Sequence, residues 1–80
     1  MKIEVLGTGC AKCRRLEENV RKAVKEAGVQ AEIVKVQDLD QILSKGVMMT
    51  PALLIDGRIM AVGRVPGVDE MVRMLTGAGR

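Results

Sequence analysis

Residues 7–15 read GTGCAKCRR, and Cys10 and Cys13 are the only cysteines of the chain. Two thiols with two residues between them can exchange electrons as a dithiol–disulfide couple, supply half of a metal clamp, or staple the backbone. A staple across so short a gap closes too small a loop to stabilise much. A tetrahedral zinc site needs four ligands, and the sequence has no His and no second cysteine pair, so an intramolecular structural zinc is excluded. Linear copper(I) binding by two thiolates needs nothing more and stays open. Redox exchange makes a different demand: one sulfur must attack and the other must finish the reaction, so the two must be chemically unequal.

The elements around the pair predict that inequality. Segment 2–6, KIEVL, alternates as a strand does, and GTG forms a loop from which a helix starts around Cys10. Leu16, Val20, Ala23, Val24 and Ala27 recur at helical spacing, and Gly28 stands just past the helix end. Carried back one step, the apolar stripe reaches Cys13, which should face the core, while Ala11 and Lys12 point outward. Cys10 falls at the helix N-terminus, where unpaired amides and the dipole favour a thiolate. Lys12, Arg14 and Arg15 add positive charge there, which weakens the helix start but suits an anion. Lys12 is the residue expected to tune the Cys10 thiolate.

Further on, 31–36 (AEIVKV) predicts a second strand. Asp38 should cap a short amphipathic helix carrying Leu39, Ile42 and Leu43, with Gln41 as its capping-box partner and Gly46 as its end. An apolar loop leads to ALLI (52–55), continuous enough for a strand covered on both faces, and Asp56-Gly57 predicts a hairpin into RIMAV (58–62). Val68, Met71, Val72 and Leu75 mark a last helix with Asp69 and Glu70 in its first turn. The order β-α-β-α-β-β-α predicts an α/β domain with a four-stranded mixed sheet and helices on its faces. One domain spans 1–77, and the tail, residues 78–80 with Gly77 before them, is expected to fray.

Composition narrows the partners. Of 80 residues 48% are hydrophobic, yet there is no Phe, Trp or Tyr, so the core must be aliphatic with help from six Met, and stacking of bases on aromatic rings is unavailable. The net charge of +3 is scattered apart from the Lys12, Arg14, Arg15 group, so nucleic acid is not an expected partner. No apolar run approaches the ~18 residues needed to span a bilayer, and no basic region precedes a long apolar stretch. A cytoplasmic monomer is the expectation, and in the cytoplasm a permanent disulfide would be reduced.

The stretch VMMTPALLIDGR (47–58), with Thr-Pro directly before a buried strand and downstream of a strand–CxxC–helix unit, resembles the thioredoxin-fold superfamily. Together with GRIMAVGRVPGVDEMVRML (57–75), nearly the whole chain is similar to the small prokaryotic thioredoxin- or glutaredoxin-like redox-active disulfide proteins. That resemblance implies a minimal thioredoxin-like fold with sheet order 2-1-3-4, the first two strands parallel and the other two antiparallel to them. It implies a cis Pro51 beside the cysteines, Thr50 offering backbone hydrogen bonds to a bound peptide, and Gly63 letting a substrate backbone approach. Met48 and Met49 would form a soft apolar lip. The aromatic and proline of the usual thioredoxin CxxC are absent, the intervening pair being Ala11-Lys12, and only Gly63 stands where glutaredoxins carry a double glycine. Glu4 lies six residues before Cys10, where thioredoxins place a buried acid, but its alternation with Ile3 and Val5 puts it on the opposite face, read as exposed.

The function expected is thiol–disulfide exchange, with Cys10 as nucleophile, Cys13 as resolving thiol, and Thr50, Pro51, Met49 and Gly63 binding substrate. No bound cofactor is required beyond the reversible Cys10–Cys13 disulfide. The expected partners are disulfide-containing client proteins and a thiol reductant or reductase. Two rivals remain: a copper(I) or heavy-metal carrier, whose β-α-β-β-α-β fold also places a CxxC before a helix, and a non-catalytic interaction module on the same scaffold.

Overall fold

The computed structural model describes residues 1–77, and the expected fraying of 78–80 lies outside the described residues. The elements run β1 (Lys2–Leu6), α1 (Ala11–Ala27), β2 (Glu32–Val36), α2 (Leu39–Ser44), β3 (Ala52–Ile55), β4 (Arg58–Val62) and α3 (Val68–Thr76). They form one sheet in the order β2-β1-β3-β4, so the fold is α/β of minimal thioredoxin type. β1 and β2 pair in parallel, and β3 runs antiparallel to both β1 and β4. One expectation is corrected here: β4 does not oppose β1 but returns in its direction, because the two-residue Asp56-Gly57 turn reverses the chain a second time. Both turn residues have positive φ, 50° and 83°, as a tight hairpin that follows the strand twist requires.

The two central strands are buried on both faces, and their alternation divides the core. Ile3, Val5, Leu53 and Ile55 pack with Leu16, Val20 and Ala23 of α1 and with Met71 and Leu75 of α3. Leu6, Ala52 and Leu54 point the other way, onto Val36, Ile42 and Val47. Burying one such Leu, Ile or Met contributes about 1.5–3 kcal/mol, and with no aromatic ring available this interdigitated aliphatic packing carries the fold. α1 ends on Gly28 at φ 67°, its N–H donating to the Val24 carbonyl. Gly77 closes α3 in the same left-handed conformation, with its N–H on the Arg73 carbonyl, so it is a helix cap rather than part of a frayed tail.

Two side-chain expectations fail on the second face. The α2 stripe buries Ile42 alone, while Leu39 and Leu43 stay 61% and 49% exposed, because a six-residue helix turns only one side chain squarely onto the sheet. Asp38 does cap it, Oδ1 accepting from the N–H groups of Asp40 and Gln41 at 2.8 and 3.2 Å. Glu4, expected to be exposed, is 5% exposed. Its side chain does point away from Ile3 and Val5, but α2 and the chain after it cover that face, and Lys45 at the end of α2 meets the carboxylate at 2.7 Å.

A carboxylate removed from water is costly once its cation is taken away. Lys45→Ala should therefore lower the unfolding free energy by about 1–3 kcal/mol, whereas Glu4→Leu combined with Lys45→Met should lie within about 1 kcal/mol of the parent chain or above it. Urea unfolding followed by far-ultraviolet circular dichroism measures both. Equal losses in the two variants would contradict the pair's role.

Candidate functional site

The site is built where β1 ends. Gly7 continues the strand direction, its N–H donating to the Val36 carbonyl at 2.9 Å, and Gly9, at φ 92°, then turns the chain into α1. Cys10 becomes the N-cap of α1, and its Sγ accepts from the Cys13 N–H at 3.4 Å. One turn on, Cys13 heads the buried stripe of Leu16, Val20 and Ala23, as the spacing predicts. Both cysteines are free, Cys10 exposed and Cys13 buried, with their sulfurs 2.8 Å apart.

Their environments drive their acidities apart. The Cys10 thiol is pulled below its ordinary range, chiefly by a hydrogen bond from the Cys13 side chain and next by the Cys13 backbone N–H. Burial pushes the Cys13 thiol up, and its hydrogen bond to Cys10 adds to that. Lys12 acts on Cys10 through its backbone N–H; its side chain is exposed. The first turn of α1 contains no acidic residue, which leaves its positive end unopposed.

Of the other residues named from the sequence, Thr50, Pro51, Met49 and Gly63 lie against one another, and Thr50 comes near Gly7 beside Cys13. The Thr50–Pro51 peptide is cis. Thr50 is half-buried and Pro51 buried, and the Pro51 carbonyl accepts from the Gly63 N–H at 2.8 Å. Met49 is 62% exposed and Met48 88%. The end of the Met49 side chain lies against Gly63, where a Cβ would come within 3.1 Å of the Met49 Cε. Gly7 joins the two halves, since a Cβ built on it would touch both Cys13 and, at 4.0 Å, the Thr50 Cβ. Sequence reasoning passed over Gly7, and the signal it could have used is a glycine placed directly after a strand and three residues before the first cysteine. Glu4 does not join the group: its carboxylate is held by Lys45 on the face that α2 covers. A groove of about 800 Å3 lies at the far end of the sheet by the hairpin and α3 and includes neither cysteine. Among the described residues no cluster of three or more His, Cys, Asp or Glu stands ready to hold a metal, and none of their helices is long and apolar enough to cross a membrane.

A helix-capping thiol in solvent, backed by a buried one within contact distance and set on this sheet, defines the class: a thiol–disulfide oxidoreductase. Residues 1–76 match the family model described as Thioredoxin domain. The chain is similar to a thioredoxin of Methanothermobacter thermautotrophicus, 46% identical over 76 residues that cover 95% of this chain and 99% of that one. A thioredoxin of Methanocaldococcus jannaschii is also 46% identical, over 69 residues covering 86% of this chain and 79% of that one. The chain belongs to the thioredoxin family.

The acidity difference has a direct consequence. Alkylation of Cys10 by iodoacetamide should set in at lower pH than for an ordinary cysteine, because its thiolate is favoured, while Cys13 should react only at higher pH. Cys13→Ala removes the side-chain donor and should move the Cys10 profile back up. A Cys10 profile indifferent to that substitution would mean that the Sγ–Sγ contact does not tune it.

Proposed function

We propose that this chain reduces disulfides of protein substrates, with Cys10 as the attacking thiolate and Cys13 as the resolving thiol. The observation that carries the reading is the pairing, at 2.8 Å, of an exposed sulfur of lowered pKa with a buried sulfur of raised pKa. The attacking thiol must be ionised and reachable, whereas the resolving thiol should stay protonated and hidden until the first step has occurred. The loop of Thr50 and Pro51, with Met49 and Gly63, forms the substrate platform in this reading. The family resemblance implies that the Thr50 backbone pairs with an extended peptide, and an exposed Met adapts to varied side chains. Lys12 supports the thiolate by its amide. The reversible Cys10–Cys13 disulfide is the only redox group needed, and a thiol reductant or a reductase of the cytoplasm returns it to the dithiol.

Insulin serves as the test substrate, its disulfides followed as free thiols form. The parent chain with a dithiol reductant should accelerate that reduction, Cys10→Ser should bring it to the level of reductant alone, and Cys13→Ser should accumulate a covalent protein–insulin adduct that dithiothreitol releases. Met49→Asp should raise KM several-fold with little change in kcat. Parent-like turnover by Cys10→Ser would overturn the assignment. Tight stoichiometric copper(I) binding without any reductase activity would point to metal carriage instead.

A further inference from the structure

Gly7 is buried at the end of β1, and its backbone does not explain why it is glycine. Among the described residues six glycines have positive φ and Gly7 is not one of them, while its N–H is engaged as a strand residue's would be. The reason is space. A Cβ at Gly7 would overlap the Cys13 sulfur and come within 3.0 Å of the Cys13 Cβ, whereas nothing lies within 4 Å of a Cβ placed on Gly9, Gly28, Gly46, Gly57 or Gly67. A cleft of only about 20 Å3 adjoins Cys13, with Gly7, Gly9, Arg14 and Glu17 among its lining residues. A helical cysteine has essentially two rotamers, so a sulfur driven from its present seat swings away from Cys10 or displaces the start of α1.

We propose that Gly7 is a positioning residue for the exchange reaction: its missing side chain forms the seat that keeps the Cys13 sulfur in line with Cys10. This rests on the reading of Cys13 as the resolving thiol. In the first step the Cys10 thiolate attacks one sulfur of the substrate disulfide. The Cys10–substrate bond forms as the substrate S–S bond breaks, and the departing thiolate takes a proton from solvent. In the second step Cys13 gives its proton to solvent and its thiolate attacks the Cys10 sulfur. The Cys10–Cys13 bond forms, the bond to substrate breaks, and the second substrate thiolate leaves and is protonated. Two electrons pass from the dithiol to the substrate. Gly7 bears on the second step, where a displacement on the order of 1 Å slows a reaction by up to roughly 100-fold.

The aromatic disulfide dithiobis-nitrobenzoate separates the steps, because each releases one coloured thiolate. Under single-turnover conditions the parent chain should release two equivalents, the first by attack and the second by resolution. Gly7→Ala should keep the first phase within a few-fold and slow the second by roughly 10- to 100-fold, a split that a general loss of stability would not produce. Unchanged second-phase kinetics in Gly7→Ala would overturn the proposal. A parent chain that releases no thiolate at all would instead overturn the reading on which it rests. A stability cycle keeps the test decisive if Gly7→Ala folds poorly. The loss caused by Gly7→Ala should shrink in a Cys13→Ala background, where the sulfur is gone and only the 3.0 Å approach to Cβ remains; an equal loss in both backgrounds would show that the sulfur is not what Gly7 accommodates.

Discussion

Two sulfurs held in contact, with only one of them in water, form the constraint on which the structure turns. A thiol that must reach a partner's disulfide has to be exposed, and the one that completes the exchange has to be close behind it yet shielded from wasteful attack. A helix start meets both needs with one turn of chain. The N-cap position leaves Cys10 in solvent among unpaired amides, and three residues later Cys13 enters the stripe that Leu16 and Val20 continue into the core. The same contact then sharpens the difference, since the Cys13 side chain donates toward Cys10 while burial holds its own proton more tightly. In the proposed cycle the order of events follows from that asymmetry.

Local rules are broken where the cysteines stand and largely kept elsewhere. α2 begins with an Asp that caps two amides, and α3 has Asp69 and Glu70 in its first turn, with Glu70 further held by Nη1 and Nη2 of Arg64. α1, the longest helix, begins with a thiol as its cap, no acid in its first turn, and Lys12, Arg14 and Arg15 instead. Its stability comes from its apolar face against the sheet and against α3, so its N-terminus can be given over to an anion.

The unequal pair was legible from spacing because a helix repeats over a few residues, and the strands and the hairpin were legible for the same local reason. Bringing Thr50 beside Gly7 and Gly63 onto Pro51 was not a local matter, and that expectation entered through family resemblance. Glu4 shows where periodicity stops. Alternation gave its side correctly, opposite Ile3 and Val5, but nothing in KIEVL tells that a helix nearly forty residues away lies over that side and brings Lys45 to it. Leu39 and Leu43 show the reverse: three apolar residues within one turn and a half look like a buried face, and a helix of six residues has room to bury one. The position of Gly7 was readable but its role was not, because a glycine needed for conformation and one needed for space look identical in a sequence. They part only when φ and the neighbouring atoms are known.

Topology explains why residues so distant in the chain meet at one edge. β1 and β4 run one way and β3 the other, so the end of β1, the beginning of β3 and the end of β4 lie along the same side of the sheet. The first carries Gly7 into the cysteine loop, the second is preceded by Thr50 and Pro51, and the third is followed by Gly63, whose N–H reaches the Pro51 carbonyl. The register adds a further condition. Leu6 pairs with Ala52, and Ala52 with Val62, which aligns the three chain segments within one residue of each other. A slip by one position at the β1–β3 pairing would exchange the residues that the two buried faces receive and shift Thr50 relative to Gly7. The pairing that builds the core is therefore also the pairing that brings Thr50 beside Gly7 and Gly63 onto the Pro51 carbonyl.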